Sequence, residues 1–208
     1  MLAFYQFEKS YQGRTILNIP DQQLSPGLYH LKGQNGAGKT TLIKSIAGLI
    51  PFKGSIKLMD VPNDLKHQQA YRKLVSFAPA EPVYPGFMKG IDLIRIHQEL
   101  RNTTPEKDQE LIQKLGVDRF QDQHILGYSS GMLKKLSLIL AFIGSPKLII
   151  LDEPMNALDT EAVQLLEPFI AQYQLAGSSF LITSHQDFHW VQHPYATLSI
   201  QNAQLAVA

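Results

Sequence analysis

Apolar residues fall along this chain in two periods. Near the start, Leu2 to Phe7 and Thr15 to Ile19 read as short strands joined by a turn at Gly13, and Ser55 to Met59 reads as another after Lys53-Gly54. Together they predict a small, mostly antiparallel β layer. Gly27 to Lys32 reads as a further strand. Behind it, Lys39 to Ala47 has helical spacing with apolar Leu42, Ile43 and Ile46, stopped by Gly48 and Pro51. Asp64 to Arg72 predicts a short polar helix and Lys73 to Ala78 a strand that ends at Pro79.

The pattern then changes. Pro79 to Gly90 carries prolines 79, 82 and 85 with Gly86 and Gly90, and reads as a connector into a second unit. Ile91 to Leu100 and Pro105 to Leu115 have helical spacing, with Thr104 as N-cap, Pro105 at the first helical position and Gly116 as a stop. The residues near 86 to 130 therefore read as a helical subdomain inserted between the two halves of a core. Met132 to Ile143 predicts a helix closed by Gly144 and Pro146. Leu148 to Leu151 is wholly apolar, as expected of a strand buried on both faces in a parallel sheet. Thr160 to Tyr173 predicts a helix capped by Asp159, with a kink or break near Pro168. Ser179 to Thr183 and Tyr195 to Ile200 read as strands, and Gln201 to Ala208 carries no signal. The fold class is α/β.

Composition narrows the options. The 208 residues suffice for one domain with a subdomain, and 44% hydrophobic content is ordinary for a globular core. Nineteen Lys and Arg against eighteen Asp and Glu give a net charge of +1, so no global basic field points to nucleic acid. Without cysteine, disulfides, thiolate catalysis and Cys-ligated metals are excluded. The opening MLAFYQFEKS is not a secretory signal, and the apolar run Leu136 to Ile143 falls short of the roughly 20 residues that span a bilayer. Any membrane role is expected to be peripheral, through a partner.

The chemistry concentrates at GQNGAGKTT, comprising Gly33, Gln34, Asn35, Gly36, Ala37, Gly38, Lys39, Thr40 and Thr41. It fits a glycine-rich phosphate loop between a strand and a helix. Glycines let successive N–H groups turn toward an anion, and the helix adds its positive end. Lys39 supplies a charge for the β- and γ-phosphates, and Thr40 a hydroxyl oxygen for Mg²⁺. Asp152 and Glu153 close the apolar strand at its carboxyl end, where open α/β sheets place their ligands. Asp152 is suited to orient Mg²⁺ and Glu153 to polarise the attacking water.

Weaker signals surround this pair. Tyr11 reads either as a platform for a purine ring or as an aromatic covering a hairpin end. Ser129, Ser130 and Gly131 precede a helix and form either an anion site or a plain N-cap. His185 follows a core strand, within reach of a γ-phosphate. His185, His189 and His193 also fall four apart, a spacing that on a helix can hold a metal, but Pro194 ends the run and no carboxylate follows.

Taken together, the set resembles the ATP-binding subunits of ABC transporters over essentially the whole chain. GQNGAGKTT resembles the Walker A loop, and LIILDEP resembles Walker B with Glu153 as catalytic glutamate. NALD ending at Asp159 resembles the D-loop, the His185 of SH the switch histidine, and Tyr11 the adenine-stacking aromatic. Tyr128 to Met132, YSSGM, is a weakened LSGGQ signature.

The resemblance implies a P-loop NTPase core with a mainly parallel sheet (about 1–85 and 131–208, including an N-terminal antiparallel β-subdomain) and a helical subdomain at about 86–130. It implies ATP and Mg²⁺, with Lys39, Glu153 and His185 in the hydrolytic step and Thr40 and Asp152 at the metal. It also implies a head-to-tail dimer, homotypic or heterotypic, in which Ser129 and Gly131 meet the γ-phosphate bound to the other subunit. Closure would drive a separate membrane permease, placing the chain on the cytoplasmic face of the membrane. Two departures stand out. Ala80, followed by Glu81, occupies the position of the Q-loop glutamine, and Tyr128, Ser130 and Met132 depart from the signature. The competing readings are a soluble ABC-type ATPase of a cytosolic assembly system and a weakly hydrolysing partner in a heterodimer.

Overall fold

The computed structural model describes residues 1–184 and 193–207. His185 and His189, and with them the switch-histidine and three-histidine readings, lie outside the described residues.

The first sheet is antiparallel. Strand β1 (Leu2–Tyr11) is its spine, pairing with β2 (Arg14–Ile19), β3 (Gln22–Leu24) and β5 (Lys53–Leu58); β6 (Val61–Pro62) adds to β5. β1 is longer than its apolar run suggests because it bends at Gln6, whose φ is 46° and whose backbone and side-chain amides donate to Asp21 Oδ1. The bend lets one strand serve several partners.

The second sheet has the order β11–β10–β4–β9–β8–β7. Its members are β4 (Leu28–Lys32), β7 (Val75–Ala78), β8 (Leu148–Asp152), β9 (Ser179–Thr183), β10 (Ala196–Gln201) and β11 (Gln204–Val207). All neighbours are parallel except β11, which returns antiparallel along β10. The turn before it, Asn202-Ala203, has positive φ at both residues (50° and 64°), the conformation of a tight hairpin, without the glycine that would advertise it in the sequence.

Every residue of β8 and β9 is buried, because the sheet is covered on both faces. Alternate side chains enter different cores: Leu148, Ile150 and Leu181 share one with the first sheet, helix α1 (Lys39–Ile46) and Tyr71, while Ile149, Leu151, Phe180 and Ile182 share the other with the helices that follow β7. Each such side chain contributes about 1.5–3 kcal/mol of transfer free energy. That is why the strand cannot slip by one residue without disrupting both cores.

Helix α2 (Gln68–Leu74) starts later than the polar pattern predicts. Asp64 Oδ1 instead accepts from the backbone N–H of His67, holding a turn ahead of it. Helices α3 (Gly90–Arg101) and α4 (Pro105–Lys114) lie outside both sheets; α3 packs on α5 (Ser130–Phe142), and Leu93, Ile94, Leu111 and Ile112 join the buried residues of α5 in one core. Arg101 ties this group to the core by donating to the carbonyls of Lys73 (3.1 Å) and Val75 (2.9 Å). Of the kink or break expected near Pro168, the break is absent: helix α6 is continuous from Thr160 to Leu175 with Pro168 inside it. Burial of Ala162 and Leu166 before the proline and of Phe169 and Ile170 after it offsets the roughly 3 kcal/mol that an internal proline costs.

Candidate functional site

The register of the second sheet assembles the site. Thr183, the last residue of β9, pairs with Asp152 of β8 on one side, and Leu31 of β4 pairs with it on the other. Adjacent strands are about 4.8 Å apart, so the loop after β4 and the acids at the end of β8 emerge about 10 Å from each other on the same edge.

Residues 33–38 form that loop. Gly36 and Gly38 have φ of 80° and 106°, values that side chains disfavour. Gly38 caps α1 and lies against β2, where a Cβ would sit 3.2 Å from Ile16 Cγ2 and 3.3 Å from Leu17 Cδ2. Lys39 Nζ donates to the carbonyl oxygens of Gly33 and Gln34, the latter at 3.3 Å, so the ammonium sits across its own loop.

Asp152 is buried, and its Oδ1 accepts from Thr183 Oγ1 at 2.6 Å. Thr183 Oγ1 accepts in turn from the backbone N–H of Glu153 at 3.0 Å. Glu153 has φ of 46°, a left-handed conformation that costs about 1 kcal/mol for a residue with a side chain. The hydroxyl of Thr183 holds both the turn and the carboxylate.

Tyr11, Gln34, Asn35, Gly36, Gly38, Lys39, Thr40, Thr41, Asp152 and Glu153 surround one cleft of about 410 Å³, joined by Ile16 and Ala80. Gly33 and Ala37 face a neighbouring cleft with Arg14, Lys32 and Asn202. Tyr11 is 46% exposed at the end of β1, with Lys9 Nζ 4.6 Å from its ring centroid. One face of the ring is thus occupied by a cation and the ring as a whole stands open to solvent.

Ser129 and Gly131 stand apart from this cleft at the head of α5. Ser129 is the N-cap, accepting from the Met132 N–H at 3.2 Å, so the plain capping role is real. Gly131 packs against the turn after Glu153, where a Cβ would sit 2.8 Å from the Ala157 carbonyl oxygen. Asp159 caps α6 and pairs with Lys135 of α5 at 2.6 Å; both bonds hold its carboxyl below the usual range, the Lys135 contact most strongly. Tyr128 is buried, donates to the Phe120 carbonyl at 2.9 Å and packs edge-on against the Phe120 ring. A tyrosine at this position anchors α5 to the loops beside α3.

Two residues at the site escaped the sequence reading. Thr183 looked like the polar end of a strand. Lys134 is buried within α5 and donates to the carbonyls of Pro79, Ala80 and Asp152; burial pulls its pKa down to about 8, against the attraction of Asp152 and Glu153. A signal existed in its spacing, since Lys134 shares a helix face with buried Leu138 and Ala141.

A glycine-rich loop ahead of a helix, and an acid pair closing a buried strand two places along the same parallel sheet, define a P-loop nucleoside triphosphatase. The model of the ABC transporter family matches residues 21–156. The chain is 31% identical over 186 residues to the lantibiotic transport ATP-binding protein SrtF of Streptococcus pyogenes, covering 89% of this chain and 80% of that protein. It is 32% identical over 202 residues to the cytochrome c biogenesis ATP-binding export protein CcmA of Legionella pneumophila, covering 90% and 94% respectively. Among solved structures, an ATP-binding subunit of an ABC transporter superposes with a TM-score of 0.88 at 22% identity, over 100% of this chain and 89% of that one. The chain belongs to the ABC transporter family and is an ATP-binding ATPase of that family.

Proposed function

We propose that this chain is the ATP-hydrolysing subunit of a transporter whose membrane-spanning permease is a separate polypeptide. The observation that carries the reading is the cleft in which Lys39, Thr40, Asp152 and Glu153 meet at the carboxyl ends of β4 and β8. Tyr11 would stack on the base, the N–H groups of residues 33–38 would cradle the phosphates, and Lys39 would exchange its loop carbonyls for phosphate oxygens. The hydroxyl of Thr40 and the carboxylate of Asp152 are hard oxygen donors on one cleft, a set suited to Mg²⁺, which when bound neutralises charge on the phosphates. Glu153 would accept a proton from the attacking water. His185 is proposed for the γ-phosphate on sequence grounds alone.

Ser129 and Gly131 do not reach the cleft of their own chain, which favours a head-to-tail dimer in which they serve the nucleotide bound by the other subunit. Residues 86–130 would then turn relative to the core as the dimer closes. A permease helix would dock there, in a groove of about 520 Å³ between core and helical group lined by Leu49, Phe77, Val83, Tyr84, His97 and Arg101, with Leu49 and Val83 exposed. Among the described residues no helix is long and apolar enough to cross a membrane, in keeping with a permease on another chain and a peripheral location on its cytoplasmic face. The name of one relative, an ATP-binding export protein, favours export as the direction. Ala80 brings only a methyl to the cleft, which, with the departures of Tyr128, Ser130 and Met132 from the signature, favours a slow-hydrolysing member of a heterodimer.

The test is the oligomeric state of Glu153→Gln with and without Mg-ATP, alongside the ATPase rate of the unmodified protein. ATP-dependent dimerisation with hydrolysis by the unmodified chain supports a working homodimer. A mutant that binds ATP yet stays monomeric points to a second, different subunit. Recovery of the chain with a soluble scaffold and not with membranes would overturn the transporter role.

A further inference from the structure

The pairing of β7 with β8 ends at Ala78 and Leu151. The next residue along β7 is Pro79, which has no N–H to extend the ladder. Lys134 supplies the missing donors. Its side chain, only 1% exposed, reaches from α5 into the gap and donates to the carbonyls of Pro79 (2.9 Å), Asp152 (2.9 Å) and Ala80 (3.4 Å). An ammonium has three hydrogens, and three backbone acceptors from two chain segments surround it.

We propose that Lys134 is a positioning residue for hydrolysis. It clamps the carboxyl ends of β7 and β8 together, sets the distance between the Ala80 wall of the cleft and the Asp152-Glu153 turn, and ties both to the helix capped by Ser129. Displacement of α5 when its N-terminus meets a phosphate is thereby passed to Glu153 through one side chain. The inference rests on the reading of Glu153 as the base. An apolar side chain of similar length would fill the same space and leave the three carbonyls without their donor, so packing and clamping separate experimentally.

The experiment compares steady-state ATPase kinetics and calorimetric Mg-ATP affinity for Lys134→Met, Lys134→Gln and Glu153→Gln. A misplacement of reacting groups by about 1 Å costs about 100-fold in rate, so kcat for Lys134→Met is expected to fall at least about tenfold while the ATP Kd moves less than about threefold. Lys134→Gln, with two amide hydrogens, recovers part of the rate, and should Lys134→Met not fold, a lowered kcat at unchanged affinity in Lys134→Gln is the supporting result. The clamp is overturned if the Met variant, or the Gln variant where Met does not fold, keeps kcat within about twofold. It is also overturned if rate and affinity fall together in both. Full activity in Glu153→Gln would overturn the hydrolytic reading itself, whatever the Lys134 variants do.

Discussion

Thr183 Oγ1 donates to Asp152 Oδ1 at 2.6 Å across the β8–β9 pair, and the same hydroxyl accepts from the N–H of Glu153. One buried threonine therefore fixes a carboxylate and the turn that follows it. Thr183→Val keeps the shape and removes both bonds. Stability should fall by about 1–3 kcal/mol, because two buried polar groups lose their partner. The ATPase rate should fall about tenfold or more, with more Mg²⁺ needed for half-maximal activity. Thermal melts and a Mg²⁺ titration of the rate check this.

Gly38→Ala should abolish Mg-ATP binding. At φ of 106° a Cβ is strained by about 1–3 kcal/mol and presses on Ile16 and Leu17. The loop should relieve the strain by opening, which would withdraw the N–H groups proposed to cradle the phosphates. Calorimetric titration with Mg-ATP is the direct measurement.

Gly131→Ala addresses the contact between α5 and the turn at Ala157. The added methyl, 2.8 Å from a backbone oxygen, should push that turn away and loosen the Lys135–Asp159 pair. ATP affinity of the single chain should be unchanged while the ATPase rate falls. Retention of the full rate would mean that the contact is dispensable.

Ala80→Gln restores an amide to the wall of the cleft, where Ala80 offers a methyl. The ATPase rate should rise or stay level. A large loss would show that this position does not perform the family's Q-loop role here.

Asp108 supplies a pH signature. Burial raises its carboxyl above the usual range, while hydrogen bonds from Gln98, Gly144 and Thr103 pull the other way. With the folded pKa raised, the folded state holds the proton more tightly than the unfolded state. The cost of the buried charge is therefore absent in acid and grows as pH rises through the carboxylate range. Asp108→Asn should melt higher than the unmodified protein at neutral pH, since Gln98 can turn its amide to match. The gap should close below about pH 4. Melting temperatures across that range decide it.

Local pattern carried much of this protein. The apolar strand ending in Asp152-Glu153, the phosphate loop with its helix and the helical group after Pro79 all stand in stretches of contiguous chain, where periodicity and motif spacing act directly. Locality also sets the limit. The local cost of Pro168 predicts a kink or break, and the burial that keeps the helix continuous comes from other elements. The strand Gln204–Val207 exists because β10 offers it an edge.

What only the tertiary structure decided is how distant backbone groups are satisfied. Sheet order β4–β9–β8–β7 sets Thr183 between Leu31 and Asp152 and leaves Pro79 facing a gap that a lysine from α5 fills. Those partners are far apart in sequence and no spacing rule links them. Their identities follow from which strands lie side by side, and that is fixed by burying both faces of one sheet at once.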